Sequence, residues 1–296
     1  MQLPPRASEL ARALGRASYL ADDRTALAAF LALELGRPLM LEGPAGVGKT
    51  DLARALAEAL SRPLLRLQCY EGLDESKAIY EWDYARQMLY TQLLRETIAE
   101  QVRGASSTAE AIDRVEADAF FSDRFLVARP ILQALRSDQP VVLLIDEVDR
   151  ADPEFEALLL EVLSEGQVTI PELGTVRAKH PPLVLLTTNA TREMTDALRR
   201  RCFHHFLDYP PPSREVAILE LRVAGIGRGL ADQLAAFAAK VRTLDLEKSP
   251  SLAETIDWAR ALVTLGVTAL DRDVAEATMG AFLKHESDRE RALTKL

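Results

Sequence analysis

Leu39-Met40-Leu41-Glu42-Gly43-Pro44-Ala45-Gly46-Val47-Gly48-Lys49-Thr50 reads as a short apolar strand that runs into a glycine-rich turn and ends on Gly-Lys-Thr. A loop of this composition curls its backbone amides around phosphate oxygens, and Gly43, Gly46 and Gly48 leave space where a Cβ would crowd the ligand. Pro44, Ala45 and Val47 complete the cradle. Lys49 is placed to reach the β- and γ-phosphates, and Thr50 to offer its hydroxyl to Mg²⁺. Leu52 to Leu60, rich in Ala, Leu and Glu, predicts a helix whose N-terminus adds positive partial charge beneath the phosphates. A strand before the loop and a helix after it are the context the motif requires, so nucleotide binding is the first expectation.

Outward from the loop, further apolar runs recur at Leu64 to Leu67, Val141 to Ile145, Leu183 to Thr187 and Phe203 to Leu207, separated by helical stretches. Runs that are apolar throughout predict a parallel sheet covered on both faces, an α/β design. Upstream, Asp22 is a candidate N-cap for a helix through Leu27, Phe30 and Leu35 that Gly36-Arg37-Pro38 ends. Tyr209-Pro210-Pro211-Pro212-Ser213 continues neither a helix nor a central strand, and Ser213 is able to cap the next helix. Beyond it only helical patterns occur, at Glu215 to Val223, Leu230 to Val241, Leu252 to Leu262 and Val274 to Leu283. Residues 1–209 are therefore expected to form an α/β nucleotide-binding domain and residues 210–296 an all-helical second domain. Gly104-Ala105-Ser106-Ser107-Thr108 has the composition of a loop.

Composition narrows the function. With 36 basic and 45 acidic residues in 296, the net charge is −9, which argues against a broad electrostatic footprint for nucleic acid or anionic lipid. No apolar stretch approaches the roughly 20 residues that span a bilayer, and Met1 to Arg6 lacks a signal-peptide core, so a cytoplasmic location is expected. Cys69 and Cys202 suggest neither a disulfide framework nor a thiolate metal cluster.

The second half of a nucleotide site is legible at Asp146-Glu147, two carboxylates delivered by the end of a buried strand, where ligands sit in open α/β sheets. Asp146 is expected to hold Mg²⁺, and Glu147 to orient and deprotonate the water that attacks the γ-phosphate. Another buried strand delivers Asn189 to the same edge, suited to hold that water or a γ-phosphate oxygen, although asparagine also ends strands because it turns well. Asp196 to Phe203 holds Arg199, Arg200 and Arg201 at a helix end. A phosphate site opposed by Lys49 alone calls for a guanidinium, and Arg201, with Arg200 as the alternative, is the candidate supplied by a neighbouring subunit.

Together the phosphate loop, Leu144-Ile145-Asp146-Glu147-Val148-Asp149-Arg150-Ala151, Glu165 to Ile170, Thr188-Asn189 and the arginine before Cys202-Phe203 resemble the MoxR family of AAA+ ATPases over nearly the whole chain. Gln68-Cys69-Tyr70-Glu71-Gly72-Leu73-Asp74 followed by Tyr80 to Gln87 resembles the CoxD branch, associated with maturation of molybdenum-containing carbon monoxide dehydrogenase and related hydroxylases. The resemblance implies a P-loop ATPase with a helix-2 insert and a helical lid. It also implies a homo-oligomeric ring, usually hexameric, that binds ATP and Mg²⁺ between neighbours. Gly43 to Thr50 is then Walker A, Asp146 and Glu147 are Walker B, Asn189 is sensor 1 and Arg201 the arginine finger. It implies in addition a von Willebrand factor A domain partner and a metalloenzyme client. Glu71 to Tyr90 falls in the insert, and Val168 to Val176 fits a second hairpin. Relatives often carry a lid arginine where this chain has Ser251.

Three weaker signals accompany these. Tyr70, Tyr80, Trp82, Tyr84 and Tyr90 lie among acidic residues, which suits a protein-recognition surface better than stacking on nucleic acid, with core packing as the alternative. His204 and His205 are neighbours on a strand and so point to opposite faces. Arg150 either faces a neighbouring subunit or pairs with a local acid. The expected function is an ATP-driven chaperone of metalloenzyme maturation. The alternatives are a nucleotide-gated assembly module and a nucleic-acid-remodelling AAA+ ATPase.

Overall fold

The computed structural model describes residues 4, 6–93, 95, 96, 107, 123–170 and 174–295. Two helices open the chain, α1 (Ala7–Arg16) and α2 (Asp23–Leu35), followed by β1 (Leu39–Glu42), α3 (Lys49–Ala59) and β2 (Leu64–Gln68). A satellite region comes next, with α4 (Glu75–Ile79), β3 (Tyr80–Trp82), α5 (Tyr84–Leu93) and β4 (Leu126–Ala128). Then come α6 (Pro130–Arg136), β5 (Val142–Asp146), α7 (Pro153–Glu165), the β6 (Gln167–Ile170) and β7 (Gly174–Arg177) hairpin, β8 (Leu183–Thr188), α8 (Asp196–Arg201) and β9 (Phe203–Phe206). Among the described residues beyond β9, the regular elements are all helical: α9 (Pro212–Arg222), α10 (Arg228–Val241), α11 (Leu252–Thr264), α12 (Arg272–Thr278) and α13 (Glu286–Leu293).

Five strands form one parallel sheet in the order β2-β5-β8-β1-β9. Alternate residues feed opposite cores, as the two-residue period of a strand demands. Met40, Leu143, Ile145, Val184 and Leu186 pack with Ile131, Leu132, Phe155 and Leu159 on one face. Leu39, Leu41, Val142, Leu144 and Leu185 pack with Leu10, Ala29, Leu52 and Leu56 on the other. Every residue of β5 and β8 is buried, which is why both strands read as unbroken apolar runs. The α2 caps match expectation: Asp22 Oδ1 accepts the Thr25 N–H at 2.6 Å, and Gly36 closes the helix in the left-handed conformation.

The C-terminal helices enclose their own core. Trp258 and Phe282 stack at 4.8 Å between centroids, and the indole N–H donates to Thr278 Oγ1 at 2.8 Å. Arg242 reaches into this bundle, donating to both oxygens of Glu215 at 2.7 and 2.9 Å and to Thr255 Oγ1 at 3.1 Å, and lies over the Tyr209 ring.

Two local expectations are corrected. Ser213 does not cap α9, which starts at Pro212 with Pro211 as N-cap and no side-chain cap bond. Proline fits there because its missing N–H is one that the first turn leaves unpaired anyway. The stretch Val274 to Leu283 is not one helix: α12 gives way after Thr278 to a 3₁₀ turn over Met279–Ala281. The Thr278 hydroxyl bonds back to the Val274 carbonyl at 2.7 Å, and Gly280 comes two residues later, two features that loosen an α-helix at its end. The loop expected at 104–108 lies outside the described residues apart from Ser107.

β3 pairs antiparallel with β4, placing Tyr80 and Trp82 edge to face at 5.9 Å, and Tyr90 meets Phe125 at 5.5 Å. The aromatics of this region are thus partly packing residues, while Tyr70, Tyr84, Met88 and Leu93 stay exposed. The second hairpin pairs Val168 with Val176 and Thr169 with Thr175, while residues 171–173 lie outside the described residues.

Candidate nucleotide site

The phosphate loop leaves the C-terminal end of β1 and enters α3 through Gly48, which serves as N-cap in the left-handed region. Two of its glycines answer to neighbouring chain as much as to a ligand. A Cβ on Gly43 would lie 1.9 Å from the Leu207 backbone oxygen, and one on Gly46 would lie 2.5 Å from Ser251 Cβ and Oγ. The Gly46 carbonyl accepts the Ala253 N–H at 3.2 Å, so the first turn of α11 rests on the loop. Ser251 caps α11 through a reciprocal pair with Glu254.

Lys49 is nearly buried, and its ammonium has three acceptors: Gly43 O at 2.6 Å, Pro44 O at 2.8 Å and Asn189 Oδ1 at 2.8 Å. Burial holds its pKa below the ordinary ammonium value, against the pull of the Asp149, Asp146 and Glu147 carboxylates. The sequence places Lys49 and Asn189 separately; folding puts them in direct contact.

Asp146 closes β5 beside the loop. The Thr50 hydroxyl donates to its Oδ1 at 3.0 Å, the Thr187 hydroxyl to Oδ1 at 2.5 Å, and Arg66 to Oδ2 through Nε at 3.0 Å and Nη2 at 2.6 Å. Thr187 Oγ1 also accepts the Glu147 N–H at 2.8 Å, so one hydroxyl fixes both carboxylate residues. Glu147 stands at φ 54°, ψ 52°, a left-handed backbone unusual for a residue with a Cβ and of the kind functional sites retain. Its carboxylate accepts from Gln68 Nε2 and pairs with Arg150 Nε, both at 3.2 Å. Of the two partners considered for Arg150, the structure shows the local acid.

Asp149 organises the opposite wall. Its Oδ2 accepts from the backbone N–H of Asn189 at 3.1 Å, and from the N–H and hydroxyl of Thr191 at 3.0 and 2.7 Å. Burial opposes this carboxylate, but the bonds from Thr191, from its own amide and from Asn189 hold its pKa below the usual range. A hydroxyl and a carboxylate meeting at Thr50 and Asp146 form a hard oxygen donor set that fits Mg²⁺.

The resulting pocket, about 210 Å³, is lined by Gly46, Lys49, Thr50, Asp146, Glu147, Asn189 and Ala253 among others. It adjoins a cavity of about 320 Å³, with Gly48 and Asp51 in both walls, built from Tyr19, His205, Tyr209, Arg214 and Ile256. Arg214 ties α9 to the N-terminal segment at Leu20 O (2.7 Å), and Arg222 reaches Asp51 at 3.2 Å. His204 and His205 diverge as the strand period requires: His204 meets Glu42 Oε2 at 2.9 Å, and His205 meets Thr25 Oγ1 at 3.0 Å.

Arg201 is not part of this constellation. Phe203 pairs with Leu39, so α8 ends at the start of β1 while the phosphate loop leaves from its end. Arg201 bonds the Ser164 hydroxyl and, at 3.2 Å, Ala197 O. Arg37 holds the helix end by donating to the carbonyls of Arg200 (2.6 Å), Arg201 (3.2 Å) and Cys202 (3.3 Å).

The model of the AAA domain, dynein-related subfamily, matches residues 38–202, more than half of the chain. This chain belongs to that AAA family. Among curated relatives, it is 30% identical to the gas vesicle ATPase GvpN of Haloferax mediterranei over 200 residues, 64% of this chain and 52% of GvpN. It is 27% identical to protein NorQ of Paracoccus denitrificans over 266 residues, 88% of this chain and 84% of NorQ. It is 29% identical to the chaperone protein ClpB of Corynebacterium diphtheriae over 202 residues. The match spans about half of GvpN and 20% of ClpB. A point mutant of Thermotoga maritima RuvB superposes with a TM-score of 0.49 at 16% identity, covering 93% of this chain and 69% of that one.

The α/β architecture of this AAA chain, a parallel sheet between helices with a helical C-terminal region, agrees with the sequence reading. Arg66, Gln68, Asp149 and Thr187 do not stand out in the sequence as site residues. A charged residue inside a strand reads as solvent-facing, and threonine in an apolar run reads as filler.

Proposed function

We propose that this chain is a MoxR-type AAA+ ATPase that binds Mg²⁺·ATP between the subunits of a homo-oligomeric ring and couples hydrolysis to work on a client protein. The observation that supports it best is the convergence of Lys49, Thr50, Asp146, Glu147 and Asn189 on one pocket, with a second cavity of nucleoside size beside it. In this reading residues 1–209 carry the nucleotide site and residues 210–296 are the lid, resting on the phosphate loop through Ala253 and Ser251.

Lys49 trades its loop carbonyls for phosphate oxygens, a strong exchange because an anionic acceptor replaces neutral ones. Thr50 and Asp146 would hold Mg²⁺, which would supply positive charge to offset that of the phosphates. Glu147 takes a proton from the attacking water. Asn189, its backbone fixed by Asp149, positions that water or a γ-phosphate oxygen. Arg201, facing away from its own pocket, serves the site of the next subunit. Glu147→Gln is expected to bind ATP and stop turning it over; wild-type ATPase rates in that variant would remove Glu147 from its role as base.

We further propose a CoxD-like task, maturation of a molybdenum-hydroxylase-type metalloenzyme together with a von Willebrand factor A domain partner. Supporting it are the Gln68 to Asp74 and Tyr80 to Gln87 segments and the exposed Tyr70, Tyr84 and Met88 beside them. Purified candidate client and partner, added to the Glu147→Gln ring in ATP, should co-elute with it. Failure to do so, with ATPase stimulation by polynucleotide instead, would favour a nucleic-acid remodeller.

A further inference from the structure

Arg66 occupies Asp146 in a way that a solvated strand residue does not. Both its Nε and Nη2 converge on Oδ2, which the Thr50 hydroxyl reaches at 3.2 Å, whereas Thr187 sits on Oδ1 and Thr50 lies nearer to Oδ1, at 3.0 Å. Asp146 is 2% exposed and the Arg66 side chain is 50% exposed, so a surface guanidinium reaches inward to neutralise a buried carboxylate. The register of β2 against β5 sets this up. Arg66 pairs with Leu144 and Gln68 with Asp146, so Arg66 and Gln68 lie on the same face of their strand as Asp146 does on its own. The same Arg66 Nη2 donates to Gln68 Oε1 at 2.5 Å, and Gln68 Nε2 donates onward to Glu147 Oε2. A continuous relay therefore runs Asp146, Arg66, Gln68, Glu147.

We propose that Arg66 is a resident counter-cation of Asp146 that Mg²⁺ displaces. The inference rests on the reading of Asp146 as the Mg²⁺-side carboxylate. Two cations on one buried carboxylate repel each other, and the half-exposed guanidinium is the one free to swing into water.

The test is binding of ADP carrying a fluorescent ribose label, with Mg²⁺ titrated at fixed nucleotide, which needs no turnover. Arg66→Gln is expected to lower the Mg²⁺ midpoint about tenfold, because the competing charge is gone. Arg66→Lys keeps the charge but makes a single contact, so its midpoint should fall between the two. Gln68→Ala cuts the relay beyond Arg66 and should leave the midpoint within about twofold. An unchanged or raised midpoint in Arg66→Gln overturns the proposal. If that variant does not fold, a wild-type midpoint in Arg66→Lys overturns it equally. Wild-type turnover by Glu147→Gln, with the midpoint shift intact, would instead remove the base assignment and leave the displacement standing.

Discussion

The backbone N–H of Asn189 donates to Asp149 Oδ2 at 3.1 Å, tying the strand end that carries Asn189 to the turn just after Glu147. Asp149 Oδ1 is buried with no side-chain or neighbouring partner among the described residues, so the carboxylate is committed through one oxygen. Asp149→Ala removes the one acceptor that Thr191 and Asn189 share, which Asn, with its amide oxygen in the Oδ2 position, would keep. The expectation is a fall in kcat of about tenfold with KM for ATP within about threefold, since Asn189 is displaced while the phosphate loop is not. Steady-state ATPase kinetics check this; an equal loss in KM alone would mean that Asp149 serves binding instead.

Arg37 caps three carbonyls at the end of the helix that carries Arg201. Arg37→Ala is therefore expected to behave like Arg201→Ala, with ATP binding kept and turnover lost. Each should regain activity when mixed with Lys49→Ala subunits, because an intact arginine then faces an intact pocket at the mixed interfaces. Mixed rings confirmed by mass and still inactive would show that these arginines act within their own subunit.

Glu215 and Arg242 form a two-point ion pair at 0% and 8% side-chain exposure. Glu215→Ala strands a buried guanidinium, and such losses cost about 3–5 kcal/mol. Urea denaturation monitored by Trp258 fluorescence, a ring in the same core, should report the helical bundle losing that much while the sheet domain holds.

His205 is half-buried, and burial keeps its pKa below the ordinary 6.5, against the pull of Asp22. The unfolded chain thus takes up a proton first as pH falls, and stability declines from about pH 6.5 downward until the folded histidine also titrates. Asp22, Asp149 and Glu156 have depressed pKa values and keep their contribution until lower pH, losing it only below about 4.5. The fall in Tm between about pH 7 and pH 5 should shrink in His205→Gln. An identical slope in the variant would assign the dependence elsewhere.

How much the sequence discloses depends on how locally each feature is encoded. β1, β5 and β8 are buried on both faces, so each is an uninterrupted apolar run, and the glycine loop and Asp146-Glu147 sit at strand ends that those runs mark. Asp22 and Gly36 bracket α2 because caps depend on adjacent backbone alone. By contrast, α1 buries only Leu10, Ala13 and Leu14 among charged residues, and α13 is almost wholly polar, so neither stands out. The larger cavity joins Tyr19 to His205 and Arg214, nearly two hundred positions apart, a neighbourhood that only chain crossing creates. Arg66 is hidden for the same reason: its partner is set by the register of two strands with some eighty residues between them.

The seating of Ala253 and Ser251 on Gly46 has a mechanical consequence. The contact at Gly46 itself is made by a backbone hydrogen bond and van der Waals surfaces, whereas the Arg222–Asp51 ion pair joins the bundle to α3 nearby. Dissolved salt screens ion pairs over about 8–10 Å but leaves the contact at Gly46 untouched. Added salt would therefore loosen Arg222 from Asp51 and leave the seat of the bundle on Gly46 in place, so the part of the joint that follows the shape of the loop outlasts the part that follows charge.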